Sequence, residues 1–476
     1  MSRLRSARQR GRSAGSGPDA DRSVPALTLK IGQYPVHSGG VGAIRTLGRL
    51  GVPVYAITEF GLTPAGASRY CAGRFAWRAT GAERPERLVA DLCDVGRRIG
   101  RRSVVIPVDD EAAILVAEHE SELSEFFAFP RVRPELPRQL ASKTGLHELC
   151  ISHGVPSPAT VTPASLAEVA TFAATATFPV VVKNDQAWVR RRHPVVPGTT
   201  VLHSAAELLA LVQPATPGGG SSRDAPAGAA PDFIAQEYLP PEHSQDWIVQ
   251  LYCAADSDCI VLFTGRKIRS WPPQAGVTAC AYSIANAEVA AIAERFCREI
   301  GFRGVADLDW RLDLRDGQYK LVDFNPRIGN QFRLFETAAG VDVVRALHLD
   351  LTGRAVPPGR QIENRRIIVE HVDLPARLAY RRLGRSAEAG QSARPSPTPV
   401  TTELAWLAAD DPLPFLAMLC RLAGPAVGGL TRLIRPAPRQ PAARGGARQA
   451  RRAARHARSD QLTRGESSAD LSHTSR

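Results

Sequence analysis

Residues 304–325, "GVADLDWRLDLRDGQYKLVDFN", are two alternating runs on either side of Arg315-Asp316-Gly317. Period-two alternation broken by a short polar turn reads as a half-buried hairpin. Gly317 suits a left-handed backbone, and a three-residue loop with Gly317 in that position pairs 314 with 318. Counting back, Asp309 faces Asp323; on the other face Leu308 meets Phe324, Trp310 meets Val322 and Leu312 meets Lys320. A two-residue loop would set Val322 against Arg311; the first register keeps one face mainly apolar and is preferred. Its cost is a pair of carboxylates directly opposite each other, which repel. A divalent cation between them removes the repulsion, and Asn325 adds a third oxygen on the same face. Mg²⁺ or Mn²⁺ takes such hard oxygen ligands. The alternative is a single aspartate solvated at a strand end.

The rest of the chain is read around that hairpin. It has 476 residues, 44% hydrophobic, enough for two or three packed units. The net charge of +13 suggests nucleic acid until its distribution is examined. Residues 1–22 hold six Arg and two Asp, net +4, and residues 432–476 hold eleven Arg and three acids, net +8. The two ends thus carry 12 of the 13 charges and are poor in aromatics. They are expected to be a disordered basic arm (1–24) and a disordered basic tail (433–476). No specific nucleic-acid partner is expected, and only weak peripheral membrane contact through the tail. The most apolar run, "LPFLAMLCRLAGPAVGGLTRLI", is broken by Arg421, Pro425 and a glycine pair, so no transmembrane segment is expected. The N-terminus lacks the apolar core of a secretory signal. The eight Cys form no C-x-x-C pair and suggest neither a zinc site nor a disulfide framework; reduced thiols and a cytoplasmic location fit. Oligomeric state is not legible.

"ALTLKI" (26–31), a Gly-led helix and "VPVYAIT" (52–58) form a βαβ unit, so the fold class is α/β, with a parallel sheet first. "SVVIPVDDEAAILVAEHESEL" repeats the pattern with Asp109 or Asp110 as helix cap. The Gly39-Gly40 pair either places backbone N–H groups near an anion or permits tight packing. Residues 136–160 read as a helix ended by Gly154 and a proline-bounded exit; "FPVVVKND" and "DFIAQEYLPP" read as strands, with a low-complexity loop over 213–231 before the second. "DWIVQLYCAADSDCIVLFTGRKI" is a second hairpin and "NAEVAAIAERFCREIG" an amphipathic helix ended by Gly301. Residues 355–432, with a DPLP turn and a short apolar helix, read as an accessory segment. Only five basic residues are Lys (30, 143, 183, 267, 320), against 55 Arg, so each lysine stands out.

"LVDFNPR" resembles the closing motif of the ATP-grasp superfamily, in which an acid-x-Asn-Pro-Arg strand holds two magnesium ions. "ASKTGLHELCISHGVPSPAT", "FPVVVKND" and "IAQEYLP" resemble its first lysine segment, its phosphate-binding lysine strand and its adenine hinge. "FTGRKIRSWPPQAG" is similar to the carboxylate–amine ligase branch, the group around D-aspartate ligase and the carbamoyl-phosphate synthase large subunit. The resemblance spans residues 26–350. It implies a pre-ATP-grasp α/β domain over 25–135 and an α+β ATP-grasp domain over 136–354, with a lysine and hinge lobe at about 155–240 and a metal lobe at about 241–354.

The resemblance also implies roles. Lys143 and Lys183 contact ATP phosphates; Gln236, Glu237 and Leu239 lie where adenine is read; Asp246, with Glu242 as rival, takes the ribose hydroxyls. Asp309, Asp323 and Asn325 hold the metal. Arg327 stabilises the transferred phosphoryl group, Lys267 and Arg269 reach the phosphates or the acceptor site, and Arg333 is a further candidate for gripping an anionic substrate. The implied activity joins a small carboxylate to an amine through an acyl phosphate, using ATP and Mg²⁺ or Mn²⁺. A kinase of the same fold and a non-catalytic nucleotide-binding module are the competing readings. Two departures from the pattern stand out: the loop after Lys183 has one glycine, Gly198, and an Arg190–Arg192 run instead of a Gly-rich cover, and the first metal acid is Asp309 where Glu is commoner.

Overall fold

The computed structural model describes residues 19–32, 36–77, 83–186, 196, 198–212, 233–273, 276–383 and 401–434, with backbone alone for 424–434. Most of both basic ends, the expected 213–231 loop and the Arg190–Arg192 run therefore lie outside the described residues. The expected arm ends earlier than residue 24: Ala20 is 8% exposed in the core, Arg354 bonds Asp19, and His348 Nε2 lies 3.0 Å from Val24 O. The described residues up to Leu422 fall in one compact unit; of the second, from Ala423, a helix to Ile434 is described.

The first sheet is parallel. Its strands are β1 Ala26–Leu29, β2 Val54–Thr58, β3 Cys71–Ala76, β4 Ser103–Pro107 and β5 Phe127–Ala128, in the order β3-β2-β1-β4-β5. All of β1 is buried, as expected of a strand covered on both faces. Asp109 is the cap of the following helix, Asp110–Glu118: Oδ1 accepts from Ala112 N at 3.0 Å. Its Oδ2 accepts from Ile31 and Gly32 N at 2.8 and 2.7 Å, which ties that helix to the end of β1. Of the two readings of Gly39-Gly40, the structure favours packing. A Cβ on Gly39 would lie 2.9 Å from Gly329 O, and Gly40 N is already capped by His37 Nδ1.

The single helix expected from residue 136 to its end at Gly154 is two, Leu136–Ala141 and Lys143–Ser152. Ser142 between them is extended, and its hydroxyl caps Gly145 N at 3.1 Å. The second sheet is antiparallel: β6 Thr160–Val161, β7 Val180–Asn184, β8 Thr200–Leu202 and β9 Phe233–Glu237, in the order β6-β9-β7-β8.

The third sheet has seven strands: β10 Ser244–Cys253, β11 Cys259–Trp271, β12 Val277–Ser283, β13 Gly304–Asp313, β14 Gln318–Asn325, β15 Arg365–Ile368 and β16 Thr401–Leu404. Their order is β14-β13-β10-β11-β12-β15-β16. Residues 355–432 thus extend this sheet by two strands. The β13–β14 hairpin pairs Asp307 with Asn325, Leu308 with Phe324 and Asp309 with Asp323, as counted from sequence for the last two. Nearer the turn the count is off by one. The loop has four residues, with Gly317 at φ 73° and its N–H on Asp313 O, so Trp310 meets Leu321 and Leu312 meets Tyr319. A bulge between Asp309 and Trp310 restores the register before the acids, while Leu321 N donates to Pro156 O at 2.8 Å. The apolar face, Leu308, Trp310, Leu321 and Phe324, packs on Phe296 and Cys297 of helix Ala287–Glu299.

Candidate active site

The other face of the hairpin carries the charges. Asp309 and Asp323 are register partners, 32% and 30% exposed, and each meets a lysine from a different part of the fold. Lys267 on β11 places Nζ 3.0 Å from Asp309 Oδ1. Lys143 opens its helix and ion-pairs with Asp323. The start of that helix is fixed by Asp185, just past β7, which accepts from Ser142 Oγ at 3.0 Å and Thr144 N at 2.7 Å. Lys183 stands on β7 itself. The register Val181↔Gln236 puts Lys183 and Gln236 on one face, where Lys183 Nζ donates to Gln236 Oε1 at 3.0 Å. Gln236 Nε2 in turn donates to Thr160 Oγ1 at 3.0 Å.

These neighbours set the charges. Burial raises the cost of ionising Asp323, but Lys143 and then Lys183 outweigh it and hold its carboxyl below the ordinary value. Burial also works against Lys143 and Lys267; Asp323 and Asp309 respectively reverse it and hold both above the usual ammonium value. Lys183 differs. Burial, followed by repulsion from Lys143, lowers it to about 8.

Lys143, Lys183, Lys267, Asp309 and Asp323 line one cleft of about 400 Å³ with Gln236, Tyr238, Leu239, Asp246 and Arg311. Asp246 Oδ1 accepts from Arg311 Nε at 2.6 Å, and Arg311 Nη1 reaches Leu239 O at 3.4 Å. Of the two expected ribose acids, Asp246 lines the cleft, whereas Glu242 is exposed and does not.

Five more expected residues lie outside the lining of that cleft. Glu237 pairs with Val180, on the strand face opposite Gln236, and its carboxylate meets Arg315 at 2.7 Å and Lys320 at 3.2 Å outside the cleft. Arg269 is not in the cleft either. A bulge between Lys267 and Arg269 turns it to the other face of β11, where it holds Asp373 of helix Glu370–Leu383 at 2.9 Å. Arg333 is buried against Asp342 at 2.6 Å and Thr46 at 3.1 Å, so it serves packing. Arg327 borders a second cavity, with Nη1 3.1 Å from Asp307 Oδ2 and Nε 3.5 Å from Asp110 Oδ1. Asn325 is 8% exposed on the acid face, donates Nδ2–H to Asp307 O at 3.0 Å, and keeps Oδ1 as its acceptor end.

Three features were not anticipated. Asp307 lies on the same face as Asp309, held by Gln250 Nε2 at 2.6 Å, Gln331 Nε2 at 2.9 Å and Arg327; burial, opposed by Arg327, pushes its carboxyl up to about 7. Strand alternation back from Asp309 would have found it. Arg311, the partner of Asp246, is likewise two residues beyond Asp309. Third, Cys253, Cys259 and Cys297 bring their sulfurs within 4.8 Å of one another, although their spacing in sequence suggests no cluster.

The donor set suits a hard divalent cation: two carboxylates paired across a hairpin plus an amide oxygen, with no sulfur or imidazole among them. Three lysines on the same cleft suit a polyanion beside it. The residues present therefore fit magnesium and a nucleotide.

No family model matches the chain. D-aspartate ligase of Enterococcus faecium (strain Aus0004) is 23% identical over 256 residues, 52% of this chain and 58% of that protein, so the match spans less than two thirds of the relative's length. L-amino acid ligase from Bacillus licheniformis superposes with a TM-score of 0.50 at 15% identity, covering 72% of this chain and 76% of that one. The biotin carboxylase domain of Hydrogenobacter thermophilus 2-oxoglutarate carboxylase, solved with MgADP, ADP and bicarbonate, gives 0.50 at 13% identity over 71% of each chain. N5-carboxyaminoimidazole synthetase from Staphylococcus aureus gives 0.50 at 12% identity over 72% and 80%. At such identities the solved structures speak for the fold alone. With the acid hairpin, the lysine cleft and these similarities together, the chain has an ATP-grasp fold and is related to the carboxylate–amine ligases of that superfamily.

Proposed function

We propose that the chain is an ATP- and Mg²⁺-dependent ligase that joins a small carboxylate to an amine through an acyl phosphate. The observation that carries this reading is the convergence of Asp309, Asp323, Lys143, Lys183 and Lys267, drawn from two sheets and a helix start, on one cleft. The names of the related proteins, D-aspartate ligase and L-amino acid ligase, favour an amino acid as one substrate.

Phosphoryl transfer depends on positioning and charge neutralisation more than on covalent help from the protein. Magnesium, held by Asp309, Asp323 and Asn325, would neutralise phosphate oxygens when bound. Lys143 and Lys183, neighbours where the Lys143 helix start meets the end of β7, bind phosphate oxygens as point charges; Lys267 does so from the β11 side. Asp246 and the Leu239 backbone hold the nucleoside end. Arg327 stands at the edge of the acid face, where it meets the carboxylate being activated. The carboxylate oxygen attacks the γ-phosphorus and ADP leaves. The amine nitrogen then attacks the acyl carbon, phosphate leaves, and the amine gives up a proton. No side-chain nucleophile takes part.

Measuring ADP release from the full chain with paired acids and amines tests the reading. Release should require both substrates and Mg²⁺. Phosphorylated acid accumulating with no need for an amine would point to a kinase; nucleotide binding with no substrate-dependent release would leave only a binding module.

A further inference from the structure

Among the described residues, Cys253, Cys259 and Cys297 form a cluster of metal-ligating side chains that the ligase reading does not use. They come from three elements. Cys253 ends β10 and Cys259 opens β11, and the two are register partners across the hairpin. Ala254 N on Asp258 O at 2.9 Å closes the turn between them. Cys297 lies on the buried face of helix Ala287–Glu299, with Val289, Ala293 and Phe296. Arg298 of that helix holds Asp258 of the turn at 3.0 Å, so helix and turn are also fastened one residue away from Cys297 and from Cys259.

The Sγ atoms of Cys253 and Cys259 are 2.8 Å apart, and no pair of the three exceeds 4.8 Å. Thiolates about 2.3 Å from a common ion stand about 3.8 Å apart around a tetrahedral centre and about 4.0 Å apart around a trigonal one. Both separations fall inside the observed spread, and rotation about a cysteine Cα–Cβ bond is enough to adjust a sulfur to them. Among the described residues, no imidazole or carboxylate belongs to the group. Three sulfurs without an oxygen select soft cations such as Zn²⁺ and Cu⁺, where the Asp309 and Asp323 pair suits a hard one.

Buried thiols often pack as small apolar side chains. This trio differs because its sulfurs meet one another and because one member opens outward. Cys253 and Cys297 are 0% exposed, whereas Cys259 is only partly buried and gives an ion a path in. The trio lines neither the nucleotide cleft nor the cavity at Arg327. Along β11, Cys259 is about 25 Å from Lys267.

Independently of the ligase reading, we infer that Cys253, Cys259 and Cys297 are a thiolate site for one soft cation, Zn²⁺ with solvent as fourth ligand or Cu⁺ with the three sulfurs alone. Each thiol gives up its proton on binding. The ion ties the β10–β11 turn to helix Ala287–Glu299, a structural role remote from the substrates.

The full chain, untagged, reduced and stripped of metal, is titrated with Zn²⁺ and, separately and without oxygen, with Cu⁺, each in competition with a chromophoric chelator. At least one ion should bind at one equivalent with Kd below about 1 μM. Co²⁺ in the zinc arm should give a thiolate-to-metal charge-transfer band. X-ray absorption should count three sulfurs, with an added oxygen for Zn²⁺ and without one for Cu⁺, and the arm in which they are counted identifies the ion. Cys259→Ser and Cys297→Ser should each weaken binding at least about hundredfold, while Cys93→Ser and Cys420→Ser keep it within about threefold. Should Cys297→Ser fail to fold, Cys259→Ser at its partly exposed position carries the test, with a circular-dichroism spectrum matching the wild type as the fold check. The metal-dependent rise in Tm of the wild type should be absent from Cys259→Ser. Undiminished binding in Cys259→Ser overturns the inference. So does a reduced wild type that binds neither ion, whether its trio then proves to be plain core thiols or closes a Cys253–Cys259 disulfide under peroxide.

Discussion

Lys183 should report nucleotide binding as proton uptake. Asp323 and Asp309 hold Lys143 and Lys267 above the ordinary ammonium value against burial, so both stay charged through the neutral range. Lys183 donates to the neutral Gln236 and is lowered to about 8 by burial and by Lys143. At pH 8.5 about three quarters of it is then neutral, and a phosphate placed beside it restores the charge, so binding takes up about 0.75 proton. At pH 7 the uptake from this residue falls to about 0.1 proton. Asp307, pushed up to about 7, is largely ionised at the higher pH and silent there. Titrating Mg-ATP calorimetrically in two buffers of different ionisation enthalpy gives the proton count directly. Lys183→Met should abolish the uptake. The same substitution tests the stability side. The folded value lies below the unfolded 10.5, so the charged lysine costs stability below about pH 8, a cost relieved as pH rises from about 8 to 10.5. That gap caps the cost at about 3 kcal/mol, so Lys183→Met should raise the unfolding free energy at pH 7 by up to about 3 kcal/mol while weakening nucleotide binding. Uptake that stays flat between the two pH values, or that survives in Lys183→Met, would refute the reasoning.

Asp323→Asn removes one acid of the facing pair and the partner of Lys143; substrate-dependent ADP release should fall by about 10²–10³, measured at saturating Mg²⁺. Arg269→Met should leave turnover and Mg-ATP affinity unchanged and cost only about 1 kcal/mol in chemical denaturation, because Arg377 stays on Asp373 at 2.6 Å. A large loss of turnover would return Arg269 to the catalytic set. Asp411→Ala strands the buried Arg45 guanidinium, now 2.9 Å from that carboxylate, and should cost about 3–5 kcal/mol and speed proteolysis of the C-terminal segment. Normal stability would mean that the segment is held by other contacts.

What could be read from sequence was what depends on strict alternation. The 304–325 hairpin placed Asp309 against Asp323 because one face had to be apolar, and the rarity of lysine drew attention to Lys143, Lys183 and Lys267. The errors arise where alternation is broken or was not followed through. Arg269 shares Lys267's parity, but the bulge between them reverses its face, and no residue type there announces a bulge. Stepping once from Gln236 puts the Glu237 side chain on the far face, which says nothing against its backbone groups, through which the resemblance implies that adenine is partly read. The four-residue turn hid because a three-residue and a four-residue loop both end on Gly317, and only the later bulge at Val322 brings the acids back into line. The cysteine cluster needs the 253↔259 register and the packing of helix Ala287–Glu299 together, and neither is visible in the spacing of Cys253, Cys259 and Cys297.

The C-terminal segment changes most between the two views. The sequence reads it as an accessory segment, and it is built into the candidate site at four points. β15 pairs with β12, which pairs with the Lys267 strand, so the sheet under the cleft continues into it. Asp373 decides where Arg269 goes. Asp411 accepts Arg45 Nε, Ser68 Oγ at 2.7 Å and Arg69 N at 2.9 Å, which ties the DPLP turn to the parallel sheet's own helix and loop. Trp406 fixes His371 at the edge of the second cavity. A buried carboxylate with three donors is tolerated only when all of them are present, so the turn cannot leave the parallel-sheet side without exposing or stranding a charge. The acid hairpin and the Asp110 cavity meet at Arg327, and that guanidinium is shared between Asp307 on one side and Asp110 on the other. The C-terminal segment walls the cavity on which Arg327 opens. Residues more than 250 positions apart in sequence, Asp110 and His371 among them, therefore meet around Arg327.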